Sequence, residues 1–152
     1  MKIFKTSEDV LELALNKFEE TSLSELGINL KVLSTSKAKN VLKVSRANAI
    51  LNNLTNNDII LVIYEEAFDR LNDEHKEKLL EGCLSNVSYD SEKDKLNVDG
   101  DIAREIFRMR RKYPEYVDIL EASYIAIEQI EEEEKERKEA EKLTKKAKKQ
   151  NN

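Results

Sequence analysis

Apolar positions in this chain fall into short groups whose spacing switches between helical and extended. Val10, Leu11, Ala14, Leu15 and Phe18 recur at helical spacing behind Thr6-Ser7-Glu8-Asp9, hydroxyl caps followed by first-turn acids. This predicts a first helix that ends before Leu23 to Gly27. Ile28, Leu30 and Val32 then alternate with Asn29, Lys31 and Leu33, the period of a strand. Polar Ser34 to Lys39 reads as a loop. Val41, Leu42, Val44, Ala47, Ile50, Leu51 and Leu54 suit a second helix, closed by the asparagine pairs at 52–53 and 56–57. Ile59 to Tyr64 is short, continuous and β-branched, which predicts a strand buried on both faces.

The second half is more helical. Glu65 to Leu71 reads as a helical turn with Phe68 and Leu71 on one face. Asn72 or Asp73 caps a helix whose stripe is Leu79, Leu80, Cys83, Leu84 and Val87. Ser88–Asp90 and Lys95–Val98 predict short strands around a polar turn. Asp99-Gly100-Asp101 starts another helix, with Ile102, Ile106, Phe107 and Met109 expected inside. Pro114 opens the last helix, where proline is tolerated. Its expected inner positions are Val117, Leu120, Tyr124, Ile127 and Ile130.

After Ile130 the pattern changes. Glu131 to Glu141 holds seven acids and three bases, and Lys142 to Asn152 holds five lysines and no acid. Glu131/Lys135 and Glu134/Lys138 lie at i,i+4 spacing in the favourable order, so the helix should run on as a solvated rod and fray at its lysine end. Without an apolar seam it is no coiled coil. The expected organisation is one α+β domain over 1–130, helix-rich around a short and mostly buried sheet, with a charged helical extension over 131–152.

Composition narrows the function classes. Of 152 residues, 39% are apolar and 38% charged, and net charge is −5. That sign argues against non-specific nucleic-acid binding by the body. A single cysteine excludes an internal disulfide and fits a reducing compartment. The opening residues do not read as a signal peptide, so a cytoplasmic setting is expected. No apolar run approaches the ~20 residues of a membrane helix, so no membrane partner is expected.

Residues 79–94 read Leu-Leu-Glu-Gly-Cys-Leu-Ser-Asn-Val-Ser-Tyr-Asp-Ser-Glu-Lys-Asp. This stretch resembles the active-site helix of a phage metallopeptidase family of zincin type, in which it runs L-L-x-H-E-L-x-H-V-x-Y-D before a charged turn. The upstream strand at 59–64, the Phe68–Leu71 turn, and the downstream Phe107 and Tyr113 keep the same register. The resemblance covers residues 59–113, and 1–58 only in element order. It implies a zincin-like scaffold, but the chain departs from the family at every position that carries chemistry. In that register Gly82 stands for the first metal histidine, Cys83 for the catalytic glutamate and Asn86 for the second histidine. A zincin needs two imidazoles one turn apart on one Zn²⁺, and a glutamate acting on the metal-bound water. The third ligand would fall near Asp99 to Asp101, where there is no histidine; the one histidine is His75. The expectation is therefore a degenerate member with no zinc and no other cofactor.

Other candidate chemistry is thin. Cys83 lies on the apolar stripe and reads as a core residue. His75 and Cys83 are two turns apart on one helix, too far to act as base and nucleophile. Asp90, Glu92, Asp94, Asp99 and Asp101 do not match a calcium-loop spacing. Arg104, Arg108, Arg110, Arg111 and Lys112 form a basic cluster without interleaved aromatics for base stacking. The expected function is a non-catalytic protein-interaction module, a phage accessory protein whose partner is a host or phage protein. The competing expectation is a nucleic-acid-binding accessory protein using that cluster and the lysine-rich tail. A monomer or weak dimer is expected.

Overall fold

A computed structural model describes residues 1–151 of the chain. The fold is α+β: a four-stranded sheet, a separate hairpin and a long C-terminal helix. The sheet contains β1 (Ile3–Lys5), β2 (Leu30–Thr35), β3 (Leu42–Arg46) and β4 (Ile59–Tyr64), in the order β1-β2-β4-β3. β2 and β4 run parallel at the centre, with β1 and β3 antiparallel at the edges.

The sheet departs from the sequence expectation in several places: β1 has no counterpart among the expected elements, β2 runs on to Thr35 where a loop is expected, and β3 and β4 also differ. Residues 41–47 do not belong to a helix. Leu42–Arg46 form β3, and only α3 (Ala49–Thr55) is helical there. The spacing of Val41, Leu42, Val44 and Ala47 fits a helical stripe. Buried Val44 between exposed Lys43 and half-buried Ser45 also fits a strand, and pairing with β4 decides between them. Asn48 caps α3 through the Leu51 N–H, yet none of its residues is buried. In turn, β4 is fully covered on one face only. Ile59, Leu61 and Ile63 are wholly inaccessible, while Ile60 and Val62 are half-buried. In register with them stand Lys31 and Lys43, whose aliphatic stems can shelter an open apolar face.

Helices cover the other face. α1 (Glu8–Glu19) buries Val10, Ala14 and Phe18, and short α2 (Ser22–Glu25) follows it. α4 (Glu65–Phe68) leads into α5 (Asp73–Leu84), where the Asn72 side chain accepts from the His75 N–H as its cap. α5 buries Leu79, Leu80, Cys83 and Leu84, as its spacing predicts. The hairpin of β5 (Val87–Asp90) and β6 (Lys95–Val98) turns the chain into α6 (Ile102–Arg110), capped by Asp101 through the Ala103 N–H.

α6 and α7 (Tyr116–Gln150) keep part of the inner face expected of them and replace the rest. Ile102 is 45% and Phe107 67% exposed; Met109 faces inward as expected, and Glu105 joins it there. On α7 the buried row is Tyr116, Ile119, Leu120, Ser123, Ala126, Ile127 and Ile130, while Val117 and Tyr124 lie at the surface. α7 stays helical to Gln150, past the point where fraying is expected. The residues there are mostly Glu, Lys, Arg and Ala, strong helix formers. The body's contacts also reach beyond Ile130: Arg70 pairs with Glu133 at 2.6 Å, and Glu134 is partly covered. No helix among the described residues is long and apolar enough to cross a membrane.

Candidate functional site

The last turn of α5 carries Gly82 and Cys83, and Asn86 follows just beyond it. All three positions meet a polar cluster that joins α5, α6 and the start of α7. Gly82 is pressed against Tyr116: a Cβ built there would lie 2.6 Å from the phenol Cζ and closer still to the hydroxyl. Tyr116 is wholly buried, and its hydroxyl donates to Glu105 Oε2 at 2.8 Å. Asn86 Nδ2 donates to Glu105 Oε1 at 2.6 Å. Arg108 donates to Asn86 Oδ1 at 2.6 Å and to Ser85 Oγ at 3.1 Å, and Ser85 donates to the Gly82 carbonyl. Every member thus has a partner, as a buried polar network requires.

These residues do not fit a zinc ion. Gly82 offers no donor atom, and Tyr116 occupies the space a side chain there would need. The Asn86 amide is held by Glu105 and Arg108. Burial pushes the Cys83 thiol well above its ordinary range, and the nearby Glu105 charge adds to this; a hydrogen bond with the Val44 backbone only partly offsets it. Such a thiol is a poor metal ligand and a poor nucleophile. Burial likewise pushes the Tyr116 hydroxyl up, reinforced by Glu105. The carboxylate facing Asn86 comes from Glu105 rather than from the Asp99–Asp101 turn. Sequence reading passed over Glu105, Tyr116 and the inward role of Arg108. The available signal was an acid at 105 between Asp101 and Met109, on the stripe α6 turns inward.

Elsewhere the candidate groups are used locally. His75 lies in the first turn of α5. Asp99 binds Arg104 and the Asp101 N–H, Asp101 caps α6, Asp90 accepts from the Glu92 and Lys93 N–H groups, and Tyr89 bonds Asp94. Among the described residues no three His, Cys, Asp or Glu side chains gather as a metal group. The basic cluster is mostly engaged. Arg104 pairs with Asp99, Arg108 is tied into the network, Lys112 pairs with Glu81 at 2.5 Å, and Arg111 stacks over Phe107. Arg110 is exposed.

A cleft of about 390 Å³ opens beside the cluster. One wall is β3, from Asn40 to Val44. The floor is Leu79, Cys83, Asn86 and Glu105, and the far side includes Ile102 and Tyr124. β3 is an edge strand. Val41 accepts from Tyr64 and Ala47 donates to Asp58, so the odd positions bond to β4. The backbone groups of Leu42 and Val44 therefore point away from β4, where Val44 bonds the Cys83 thiol and Leu42 borders the cleft. The chain matches no protein-family model, no curated protein and no solved structure. Its function is therefore read from this cleft and the cluster beneath it.

Proposed function

We propose that the chain is a non-catalytic protein-interaction module that receives an extended segment of a protein partner in the cleft beside β3. The observation that carries this reading is the strand edge at Leu42, whose backbone groups point away from β4 alongside apolar walls, the neighbouring Val44 N–H being taken by the Cys83 thiol. An unpaired strand edge is a template for an added strand, with neighbouring pockets selecting side chains. Exposed Ile102 and Tyr124 at the rim supply apolar surface of the kind that marks an interaction site. The setting, a phage accessory protein on a degenerate zincin-like scaffold with a host or phage protein as partner, rests on the resemblance of residues 59–113. The absence of catalysis is supported by the buried thiol at Cys83, by its separation from His75, and by Tyr116 filling the space beside Gly82. The nucleic-acid alternative is weakened because Arg104, Arg108 and Lys112 are already paired or hydrogen-bonded within the chain.

The test is selection of displayed random peptides on the full chain, followed by calorimetry with the enriched sequences. Binding should be lost in Ile102→Asp and Tyr124→Asp, both surface changes that leave the core intact. Affinity indifferent to both substitutions would place the partner elsewhere. Cleavage of bound peptides would overturn the non-catalytic reading, and salt-dependent retention on DNA by the body without its tail would favour the alternative.

A further inference from the structure

The cleft floor carries a charge that the protein leaves without a counter-ion. Glu105 is 93% buried, being 7% exposed, and lines the cleft. Its two oxygens accept from the Asn86 amide and the Tyr116 hydroxyl, both neutral donors. Arg108, the cation of the network, donates to Asn86 and Ser85 instead. Among the described residues Glu105 takes part in no ion pair. Lys43 is the one cation in the cleft lining. Its side chain alternates to the opposite face of the sheet from Val44, which is buried on the helix side. Asp99, the other lining acid, is held by Arg104.

A buried carboxylate without a cation is costly, and that cost falls when an opposite charge arrives. A carboxylate can accept about four hydrogen bonds, and the protein supplies two here. We infer that the cleft floor at Glu105 is a subsite for an alkylammonium or guanidinium group, the end of a lysine or arginine side chain borne by the extended segment that lies along β3. Apolar Leu79 and Val98 flank the route to it and suit the aliphatic stem of such a side chain. This inference rests on the cleft reading above and adds the chemistry of the residue recognised.

Two measurements on the full chain test it. In the first, the ¹⁵N-labelled protein is titrated with n-butylammonium and, separately, with 1-butanol as its neutral counterpart. The cation should give saturable shifts at Leu42, Val44, Asn86 and Gly100, at least tenfold tighter than the alcohol. Glu105→Gln, which keeps the shape and an acceptor for Asn86 while its NH2 can donate to the Tyr116 hydroxyl oxygen, should abolish that difference. Equal binding of the two probes by the unaltered protein overturns the inference whether or not the variant folds. In the second, cleft-binding peptides from the selection should be rich in Lys or Arg, and replacing that residue with norleucine should weaken binding at least tenfold. Peptides that bind the cleft with no loss on that replacement leave the interaction reading standing and overturn this one. Failure of every peptide together with binding of butylammonium overturns the interaction reading and supports the subsite. Failure of both overturns both.

Discussion

Replacing Gly82 with alanine tests the central contact of the site. In an ordinary helix interior this change stabilises by about 1 kcal/mol, because glycine loses more backbone freedom on folding. Here the added methyl would stand 2.6 Å from Tyr116 Cζ, inside any real contact distance. The ring cannot swing away freely, since Tyr116 is wholly buried and its hydroxyl is bonded to Glu105. Overpacking of this kind costs about 1–3 kcal/mol. A ring pushed far enough to relieve it also gives up a hydrogen bond to a charged group, worth about 1.5–3 kcal/mol. Set against the helix gain, the net expectation is a loss of roughly 2–5 kcal/mol, read as a lower urea midpoint at unchanged slope. Gly100→Ala is the internal control: nothing lies within 4 Å of its Cβ position, so little change is expected. In a Tyr116→Leu background the Gly82→Ala penalty should shrink towards zero or reverse, a coupling that a double-mutant cycle measures directly. A Gly82→Ala variant as stable as the parent would refute the packing argument, and with it the claim that Tyr116 closes this position.

Leu80→Ala and Leu84→Ala should each cost roughly 2–5 kcal/mol in chemical denaturation, because both side chains are almost wholly buried. Removing residues 135–152 should leave the melting temperature nearly unchanged, since every described residue beyond Glu134 is exposed and the Arg70–Glu133 pair is retained; a large drop would show that the tail supports the body. Stability should fall as pH drops below the ordinary carboxylate range, partly through Glu81. Burial opposes its ionisation, but the hydrogen-bonded Lys112 ammonium holds its carboxyl below the usual value. A lowered folded-state pKa contributes stability above the unfolded value that disappears as pH falls through the folded one. Glu81→Gln should flatten that acid limb in a pH series of melts, and an unchanged limb would exclude Glu81 as a contributor. Elemental analysis of untagged protein should find far less than one zinc per chain, because Gly82, Cys83 and Asn86 do not supply a ligand set.

Local signals carried much of the fold. The caps and stripes of α1 and α5, the apolar run of β4 and the short hairpin each leave a pattern that needs no distant partner to interpret. Residues 41–47 misled because their apolar spacing serves a helix stripe and a half-buried edge strand alike; only pairing with β4, many residues later, separates the two. Part of the inner face of α6 and α7 was hidden for a different reason. A glutamate and a tyrosine hydroxyl occupy inward positions because each satisfies the other, and hydropathy counts each of them singly as outward-facing. Gly82 showed the same limit. Its sequence marks a close approach but not the residue approaching, and Tyr116 lies far along the chain. The cleft was not legible at all, since it depends on which strand ends up at the sheet edge.

The continuity of α7 has a mechanical consequence. Leu120, Ser123 and Tyr124 wall the cleft, and the same helix runs unbroken to Gln150. From Lys135 to Gln150 that is roughly 24 Å of projecting rod at 1.5 Å per residue. Such a rod is a lever whose fulcrum lies in the core: a tilt of about 5° at the anchored end carries the lysine-bearing tip through roughly 2 Å. A ligand that tilted α7 by that angle at Tyr124 would therefore displace positive charge well away from where it is held.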